Sequence, residues 1–343
     1  MIVDCAHYRD GRRQQDGAME LDDAADFCRA GDEGFVWLGL VDPDEKEMAA
    51  VQERFGLHEL AVEDSLEFHL RPKLELYEDG EVYFVVLRTA HYVDERDEVE
   101  FGEVSVFLSD RFIITVRRGS ARGLADARRR LERRPELLAE GPGAALWAVL
   151  DTVVDDYTPV IEGLEQDIEE IEATVFQGAA AATRRIYHLR REVSDFYRAV
   201  HPLLGPLEAI ERGGYDLLGE AVRPFFRDVN DHVKFADEEI VNQRDLLAVI
   251  LQANMAVISV EQTSISVRQN ETSKQLTIIA TIFLPLTFLT GFFGQNFGWM
   301  VNHVRSFWTF AVLGIGAMVV SGLVLAWWFK RSGYTREADP PHV

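Results

Sequence analysis

Cysteine is almost missing from this chain of 343 residues, which contains only Cys5 and Cys28. Two cysteines are too few for a disulfide framework or a thiolate zinc site, so we expect free thiols in a reducing compartment. Basic residues are also scarce. The 35 Lys and Arg against 58 Asp and Glu give a formal net charge of -23, which argues against nucleic acid as a partner.

The motifs that mark the common enzyme classes are missing as well. The sequence has no GxxxxGK[ST] phosphate loop, no HExxH zinc motif, no GxSxG nucleophile elbow and no glycine-rich dinucleotide turn. The nine histidines are scattered without paired ligand spacing, and His303 is interpreted as an interfacial polar residue. We therefore expect a protein that is not an enzyme and that needs no cofactor.

Charge is missing from two long stretches near the C-terminus. No Asp, Glu, Lys or Arg occurs in residues 275–304, and a second uncharged run covers 306–329. About 20 consecutive apolar residues are enough to cross a bilayer as a helix. The sequence therefore predicts a C-terminal two-helix hairpin in membrane lipid, with spans at about 276–294 and 306–329.

Two spans leave both termini on the same side of the membrane. Lys330, Arg331 and Arg336 follow the second span, and Arg268 and Lys274 precede the first. Because positive residues favour the cytoplasmic side, we expect a multi-pass protein of the inner (plasma) membrane with both termini in the cytoplasm.

The first span has two different sides. Steps of three and four residues follow one face of a long helix. That face is small or polar at almost every turn, whereas the residues between are bulky. The face consists of Asn270, Ser273, Thr277, Ala280, Leu284, Thr287, Gly291 and Gly294. Two interpretations stay open: a packing seam between helices, or a water-filled path between copies of this helix.

The chain before the membrane reads as an α/β domain followed by helices. Strands are expected at 35–40 and in KLELYED, EVYFVVLRTAHYV, EFGEVSVFLS and RFIITVRR, mostly antiparallel, with a hairpin turn at 78–80. Asp42 and Asp44 precede a predicted helix and are expected to cap it. Further along, the acidic stretch 135–183 has no Lys or Arg, and we expect Arg190 and Arg191 of a basic return helix to pair with it.

These patterns divide the chain into six segments. They are a cytoplasmic α/β domain (1–118), a cytoplasmic helical hairpin region (119–223), a long helix that includes the first span (224–296), a periplasmic or extracellular loop (297–305), the second span (306–329) and a basic cytoplasmic tail (330–343).

Two segments resemble the CorA magnesium transporter family. TIIATIFLPLTFLTGFFGQNF resembles its first membrane helix and signature, and LAVEDSLEFHLRPKLELYED resembles its segment with Arg-Pro-Lys, here Arg71, Pro72 and Lys73. With the two spans and the basic tail, the resemblance covers essentially the whole chain. It implies a homopentameric funnel: an α/β cytoplasmic domain, long helices, and a pore lined by the first span.

The resemblance also implies roles for individual residues. The family's pore-lining positions fall on Asn270, Ser273, Thr277, Ala280, Leu284 and Thr287, to which the periodicity adds Gly291. The selectivity mouth falls on Gly294, Gln295 and Asn296. In magnesium members, acids between subunits bind the ion as a closing sensor. Asp94 and Asp245 lie in the corresponding regions and are the predicted regulatory metal site.

Two departures bear on the ion. The family signature is Gly-Met-Asn and here Gln295 replaces Met, while the outer loop carries Arg305 and no acid, although the family's loop is commonly acidic. The hypothesis is magnesium uptake, with cobalt or nickel as further cargo, driven by the membrane potential, and with magnesium also as a regulatory ligand. The alternatives are a zinc transporter like the related ZntB proteins and a non-transporting membrane-anchored scaffold.

Overall fold

The computed structural model describes residues 1–15, 17–69, 71–77, 82–177, 182–215, 218–295, 297–303 and 306–331. It divides into two compact units, Met1–Val257 and Ile258–Val343. A single helix, Arg223–Phe293, contributes to both.

Unit 1 contains a seven-stranded sheet within the described ranges. Its strands are β1 (Ile2–Arg9), β2 (Arg12–Arg13), β3 (Phe35–Val41), β4 (Lys73–Tyr77), β5 (Val82–Val93), β6 (Glu98–Leu108) and β7 (Phe112–Gly119). The order is β2-β1-β3-β7-β6-β5-β4, and every neighbouring pair is antiparallel except β3 and β7.

The predicted strands are present, and the mostly antiparallel sheet is confirmed. The predicted hairpin turn at 78–80 lies outside the described residues, although β4 and β5 pair antiparallel. The strands β1 and β2 were not predicted. In β1 the buried Cys5, Ala6 and Tyr8 stand among half-buried or exposed residues, and β2 has only two residues, so neither shows the continuous apolar run of a strand covered on both faces.

The helices of unit 1 cover both faces of the sheet. They are α1 (Leu21–Ala30), α2 (Glu45–Phe55), α3 (Glu59–Leu66), α4 (Ala125–Glu132), α5 (Pro135–Leu138), α6 (Pro142–Asp155), α7 (Tyr157–Phe176), α8 (Ala182–Val200), α9 (Leu204–Glu211) and the first part of α10 (Arg223–Phe293). A short 3-10 turn, His201–Leu203, joins α8 to α9.

Strand β5 shows why the sheet is apolar on both sides. Its odd-numbered Tyr83, Val85 and Leu87 belong to one core, with residues of α4 to α10. Its even-numbered Phe84 and Val86 belong to the other, with residues of α1 to α3. Successive strand residues point to opposite faces, so a strand covered on both sides reads as a continuous apolar run.

Local signals at helix ends are also satisfied. Asp44 caps α2 through a capping box: its side chain accepts from the Glu47 backbone N–H at 2.8 Å, and Glu47 accepts from the Asp44 N–H at 3.1 Å. Asp42 instead accepts from the backbone N–H of Gly119 at 3.3 Å, so it joins two strand ends and does not cap the helix.

Unit 2 contains the rest of α10, α11 (Gly298–His303), α12 (Phe307–Phe310), a π-helical stretch (Ala311–Gly316) and α13 (Ala317–Arg331). Two helical stretches, Arg223–Phe293 and Phe307–Arg331, are long and apolar enough to cross a membrane. The segment 297–305, predicted as a loop, contains the short helix α11.

Candidate functional site

The predicted pore face is bare in the single chain. All seven side chains or glycine positions proposed to line it are exposed, and Leu284 is 70% exposed. They are Asn270, Ser273, Thr277, Ala280, Leu284, Thr287 and Gly291. Within the described residues of the protomer, nothing therefore covers this face.

The partly covered positions of the same span lie on its other side. They include Ile278, Thr281, Pro285, Leu289 and Phe293. At 3.6 residues per turn, their mean direction lies roughly 140° around the helix from that of the pore face. The chain's own residues therefore shield one side of the span. The small and hydroxylic side stays free for lipid, water or another copy, and so do bulky side chains next to it such as Phe283 and Phe288.

The two threonine hydroxyls of this face hydrogen-bond within their own helix. Thr277 donates to the Ser273 carbonyl at 2.8 Å, and Thr287 donates to the Phe283 carbonyl at 2.8 Å. Because each hydroxyl proton is used inside the helix, the oxygen lone pairs remain as outward-facing acceptors. Such a surface suits a cation that keeps its water shell, since bound water donates hydrogen bonds outward.

The same pattern continues toward the N-terminal side of the span. Thr263 donates to the Ser259 carbonyl at 2.8 Å, and Ser266 donates to the Gln262 carbonyl at 2.9 Å. All of these side chains are exposed. The hydroxylic face of α10 in unit 2 is thus longer than the part that the bilayer would cover.

The predicted mouth begins where α10 ends. The helix stops at Phe293, and the Gly294 N–H donates to the Thr290 carbonyl at 2.9 Å. A Cβ on Gly294 would lie 3.0 Å from that carbonyl oxygen, so any larger residue would be crowded. The Gln295 N–H donates to the Phe292 carbonyl at 3.3 Å. Asn296, the third predicted mouth residue, lies outside the described residues.

An apolar cavity of about 480 Å³ adjoins the mouth, a feature that was not predicted. Phe292, Phe293, Phe297 and Trp299 line it together with Gln295. The only sign of this cavity in the sequence is the high density of aromatic residues between positions 292 and 299. His303 stacks on Trp299 with ring centroids 4.5 Å apart, and its Nδ1 lies 2.9 Å from the Trp299 carbonyl oxygen.

The two predicted regulatory acids are both exposed. Asp94 lies in the turn between β5 and β6, and Asp245 lies on α10. The described part of the chain contains no group of three or more His, Cys, Asp or Glu placed to hold a metal ion. Neither acid therefore belongs to such a group within one protomer.

The expected pairing of Arg190 and Arg191 with the acidic stretch 135–183 is wrong. In the described part of the chain Arg190 forms no ion pair with a carboxylate, and Arg191 lies near a carboxylate outside that stretch. Its guanidinium lies 3.9 Å from Asp195 of its own helix. The bridge between α7 and α8 is made one turn earlier, where Arg185 hydrogen-bonds the buried Asp167. A sequence pattern shows charge on a helix face but not which turn meets the partner helix.

Comparison with known protein families gives a match over most of the chain. The family described as CorA-like Mg²⁺ transporter protein matches residues 32–331. A cobalt/magnesium transport protein, CorA of Thermotoga maritima, is 30% identical over 283 residues, covering 82% of this chain and 78% of that protein. A putative metal ion transporter of Bacillus subtilis, YfjQ, is 29% identical over 304 residues, covering 88% and 91%.

A more distant relative carries a different ion in its name. The zinc transport protein ZntB of Yersinia enterocolitica is 26% identical over 274 residues, covering 77% of this chain and 76% of that protein. Among solved structures, the complete CorA magnesium transporter of Methanocaldococcus jannaschii matches with a TM-score of 0.61 at 19% identity. That match covers 97% of this chain and 99% of the other, and it supports the fold.

Proposed function

The chain belongs to the CorA-like Mg²⁺ transporter family, and from that premise we propose that it mediates uptake of magnesium through a pore formed by five copies. Members of this family are membrane-embedded transporters of divalent cations and not enzymes. Cobalt is proposed as further cargo, in line with the name of the Thermotoga maritima relative. Nickel is proposed beside it as another divalent ion. The proposed orientation has both termini in the cytoplasm.

One observation carries the proposal: on the exposed face of α10, the hydroxyls of Thr277 and Thr287 donate their hydrogen bonds to carbonyl groups of the same helix. Five such faces around an axis would present rings of acceptor oxygens to the water shell of a cation. Magnesium gives up its water reluctantly, so a path that accepts the hydrated ion avoids most of the cost of dehydration. Exposure of this face in the protomer is what a shared, central lining requires.

The individual residues then have distinct proposed roles. Gly294, Gln295 and Asn296 would form the outer mouth, where amide and carbonyl oxygens grip the hydrated ion. Leu284, exposed on the same face, would form a hydrophobic constriction that loses its water when the pore closes. Asp94 and Asp245 would bind a regulatory magnesium ion with help from a neighbouring copy, since the described residues of one protomer make no such group.

The membrane potential is a sufficient driving force. Each elementary charge that crosses 100 mV gains about 2.3 kcal/mol, so a divalent ion gains about 4.6 kcal/mol. That corresponds to roughly a thousandfold concentration ratio, because about 1.4 kcal/mol equals a factor of ten. The membrane potential therefore supplies the free energy for uptake, and the protein supplies the pore.

Zinc transport is the second candidate, because the ZntB relative covers most of both chains. Zinc favours nitrogen and sulfur ligands, whereas the proposed lining contains neither His nor Cys. The chemistry of the face therefore favours magnesium.

Ion flux into proteoliposomes tests the proposal. We expect magnesium influx that rises with an inside-negative potassium diffusion potential and does not need a proton gradient. Asn296→Ala should abolish this flux while the protein still assembles as five copies, as measured by its mass in detergent. Asn302→Ala, the same change elsewhere between the spans, is the matched control and should keep the flux.

Three results would contradict the proposal. Zinc influx without magnesium influx would favour the ZntB-like alternative. No flux of any divalent ion would favour the scaffold. Wild-type flux from Asn296→Ala would show that the mouth lies elsewhere.

A further inference from the structure

A cleft in unit 1 concentrates positive charge in an otherwise acidic protein. It has a volume of about 550 Å³ and lies between strands β5 and β6 and helix α8. Four arginines line it: Arg88 from β5, and Arg190, Arg191 and Arg198 from α8. With a formal charge of -23 on the whole chain, four converging guanidinium groups are a local exception.

Within the cleft, one carboxylate is available to four guanidinium groups. Asp195 accepts from Arg198 at 2.7 Å and lies 3.9 Å from Arg191. In the described part of the chain, no ion pair to a carboxylate is formed by Arg88 or Arg190. Beside Arg88 the opposing charges are those of Asp195 and of the buried Glu103, its partner on β6. Four guanidinium groups against these two carboxylates leave the lining with an excess of positive charge.

Arg88 is the innermost of these groups. It is half-buried, its guanidinium lies 5.5 Å from the centroid of the Phe101 ring, and burial lowers its pKa. A guanidinium held against an aromatic ring and short of water gains from an anion that replaces the lost hydration.

We propose that this cleft binds a small phosphate-bearing anion. Arginine forks match the paired oxygens of a phosphate group, and two forks from different elements can hold a diphosphate. The volume lies within the range of about 300–1,000 Å³ that is typical of small-molecule pockets. A concave site with a half-buried arginine at its floor favours a small ligand, which can enter the cleft, over the flat surface of another protein.

Isothermal titration of the full-length protein in detergent tests this site. The probes are sodium pyrophosphate and sodium phosphate, in magnesium-free buffer with a chelator and at constant ionic strength. We expect saturable pyrophosphate binding that Arg190→Gln and Arg88→Gln each weaken about tenfold, the effect of losing one charged hydrogen-bond donor. Arg190 is exposed, so its replacement should leave the fold intact.

Arg184→Gln is the matched control. Arg184 is an exposed arginine of the same helix that does not line the cleft, and its replacement changes the net charge by the same amount. We expect unchanged binding in this variant. A short-chain phosphatidate is the second arm: its binding at the same residues would identify a lipid headgroup as the source of the phosphate, and its failure beside pyrophosphate binding would identify a soluble ligand.

Three outcomes would overturn the proposal. The first is no pyrophosphate binding by the wild-type protein. The second is equal weakening in Arg184→Gln, which would mean a general charge effect. The third is a change of oligomer mass in Arg190→Gln with no anion binding by wild type, which would assign the cleft to contact between copies. None of these outcomes depends on ion flux, so the site and the transport function can fail separately.

Discussion

The two units of this chain treat apolar side chains in opposite ways. In unit 1, large residues such as Trp37 and Phe196 are buried, at 1% and 0% exposure. In unit 2, Phe288 is 71% exposed and Trp308 is 75% exposed. Unit 1 therefore buries its apolar surface within one chain, whereas the apolar surface of unit 2 needs lipid or further copies to cover it.

Polar groups differ between the units in the same direction. In unit 1, buried polar groups bond across elements: Tyr157 donates to the Arg88 carbonyl at 2.6 Å, and Gln243 of α10 donates to the Ile161 carbonyl at 2.9 Å. In unit 2, Thr277, Thr281 and Thr287 each donate to a carbonyl four residues earlier in the same helix. The hydrogen bonds of unit 1 join different elements and so specify its fold. Those of unit 2 satisfy the polar groups within one helix, so the helix can be surrounded by lipid or by other copies.

The largest expected effect comes from removing a core side chain of unit 1. Phe196 is fully buried and packs edge-on against Tyr157, with centroids 5.5 Å apart. Phe196→Ala should lower the free energy of unfolding by about 3–5 kcal/mol, the usual cost of deleting a buried ring. Urea unfolding in detergent, followed by circular dichroism, measures the change.

Phe288→Ala is the control for the comparison, since it deletes the same ring from an exposed site of unit 2. It should change the free energy of unfolding of unit 1, measured in the same urea titration, by less than about 0.5 kcal/mol. Equal losses in the two variants would contradict the division between a self-contained unit and an externally covered one.

A smaller loss is expected from breaking the ion pair between α7 and α8. Asp167 is 3% exposed and accepts from Arg185 and, at 3.0 Å, from the Tyr92 hydroxyl. Arg185→Gln leaves a buried carboxylate with a weaker partner and should cost about 2–3 kcal/mol, below the full cost of a buried pair because Arg185 is partly exposed.

The pair of Arg212 and Glu208 provides the contrast. It is 2.9 Å long, but its side chains are 77% and 42% exposed. Arg212→Gln should cost less than about 0.5 kcal/mol in the same urea titration. A cost near that of Arg185→Gln would mean that burial does not govern the value of ion pairs in unit 1.

The next effect is a pH dependence confined to unit 1. Burial raises the pKa of Glu192 from 4.5 to about 7, against the opposing charge of Arg185. The folded state then binds more protons than the unfolded state between those values, so stability should fall as pH rises from about 4.5 to 7. Discounted for partial exposure, the fall attributable to Glu192 is about 1–2 kcal/mol.

Glu192→Gln isolates this contribution, since the amide keeps the shape and cannot ionise. The difference in melting temperature between wild type and variant should grow from pH 5 to pH 7.5, with the variant the more stable at the higher pH. A constant difference over this range would show that Glu192 does not titrate there.

Much of unit 1 could be predicted because the spacing of apolar residues along its helices and strands shows which face of each is buried. In α7, apolar residues recur at steps of three and four, the spacing that predicts one buried helix face, and all of them are buried: Ile161, Leu164, Ile168, Ile171 and Val175. Helix α10 begins within one residue of the predicted start. The edge strand β2 and its neighbour β1 were missed because a half-exposed strand with polar residues resembles a loop. Strand order depends on long-range pairing, which local patterns do not encode.

The candidate site was predictable to a different extent. Its face followed from the spacing of small residues on one helix, which a single sequence displays directly. The cavity beside Gln295 is lined by residues between positions 292 and 313, and the aromatic residues of that stretch were a signal for it. The arginine cleft could not be predicted, since it joins residues distant in sequence. Arg88 and Arg190 stand about a hundred positions apart, and only the packing of β5 beside α8 brings them together.

The sharpest test of unit 2 comes from two threonines that lie about 120° apart around the span. Thr287 is exposed on the proposed pore face, and Thr281 is partly covered. Both donate to a carbonyl four residues earlier, at 2.8 Å and 2.7 Å. Replacing either by Val removes the same local bond and should change stability by less than about 1 kcal/mol.

Flux should nevertheless separate the two variants. Thr287→Val replaces an outward acceptor oxygen by a methyl group, so a hydrated ion loses one hydrogen-bond partner in every copy, and magnesium influx into proteoliposomes should fall at least about tenfold. Thr281→Val should stay within about twofold of wild type, since side chains away from a pore do not meet the ion. The reverse order would place the water path on the covered side of α10, and equal flux in both would leave the hydroxyls as packing groups.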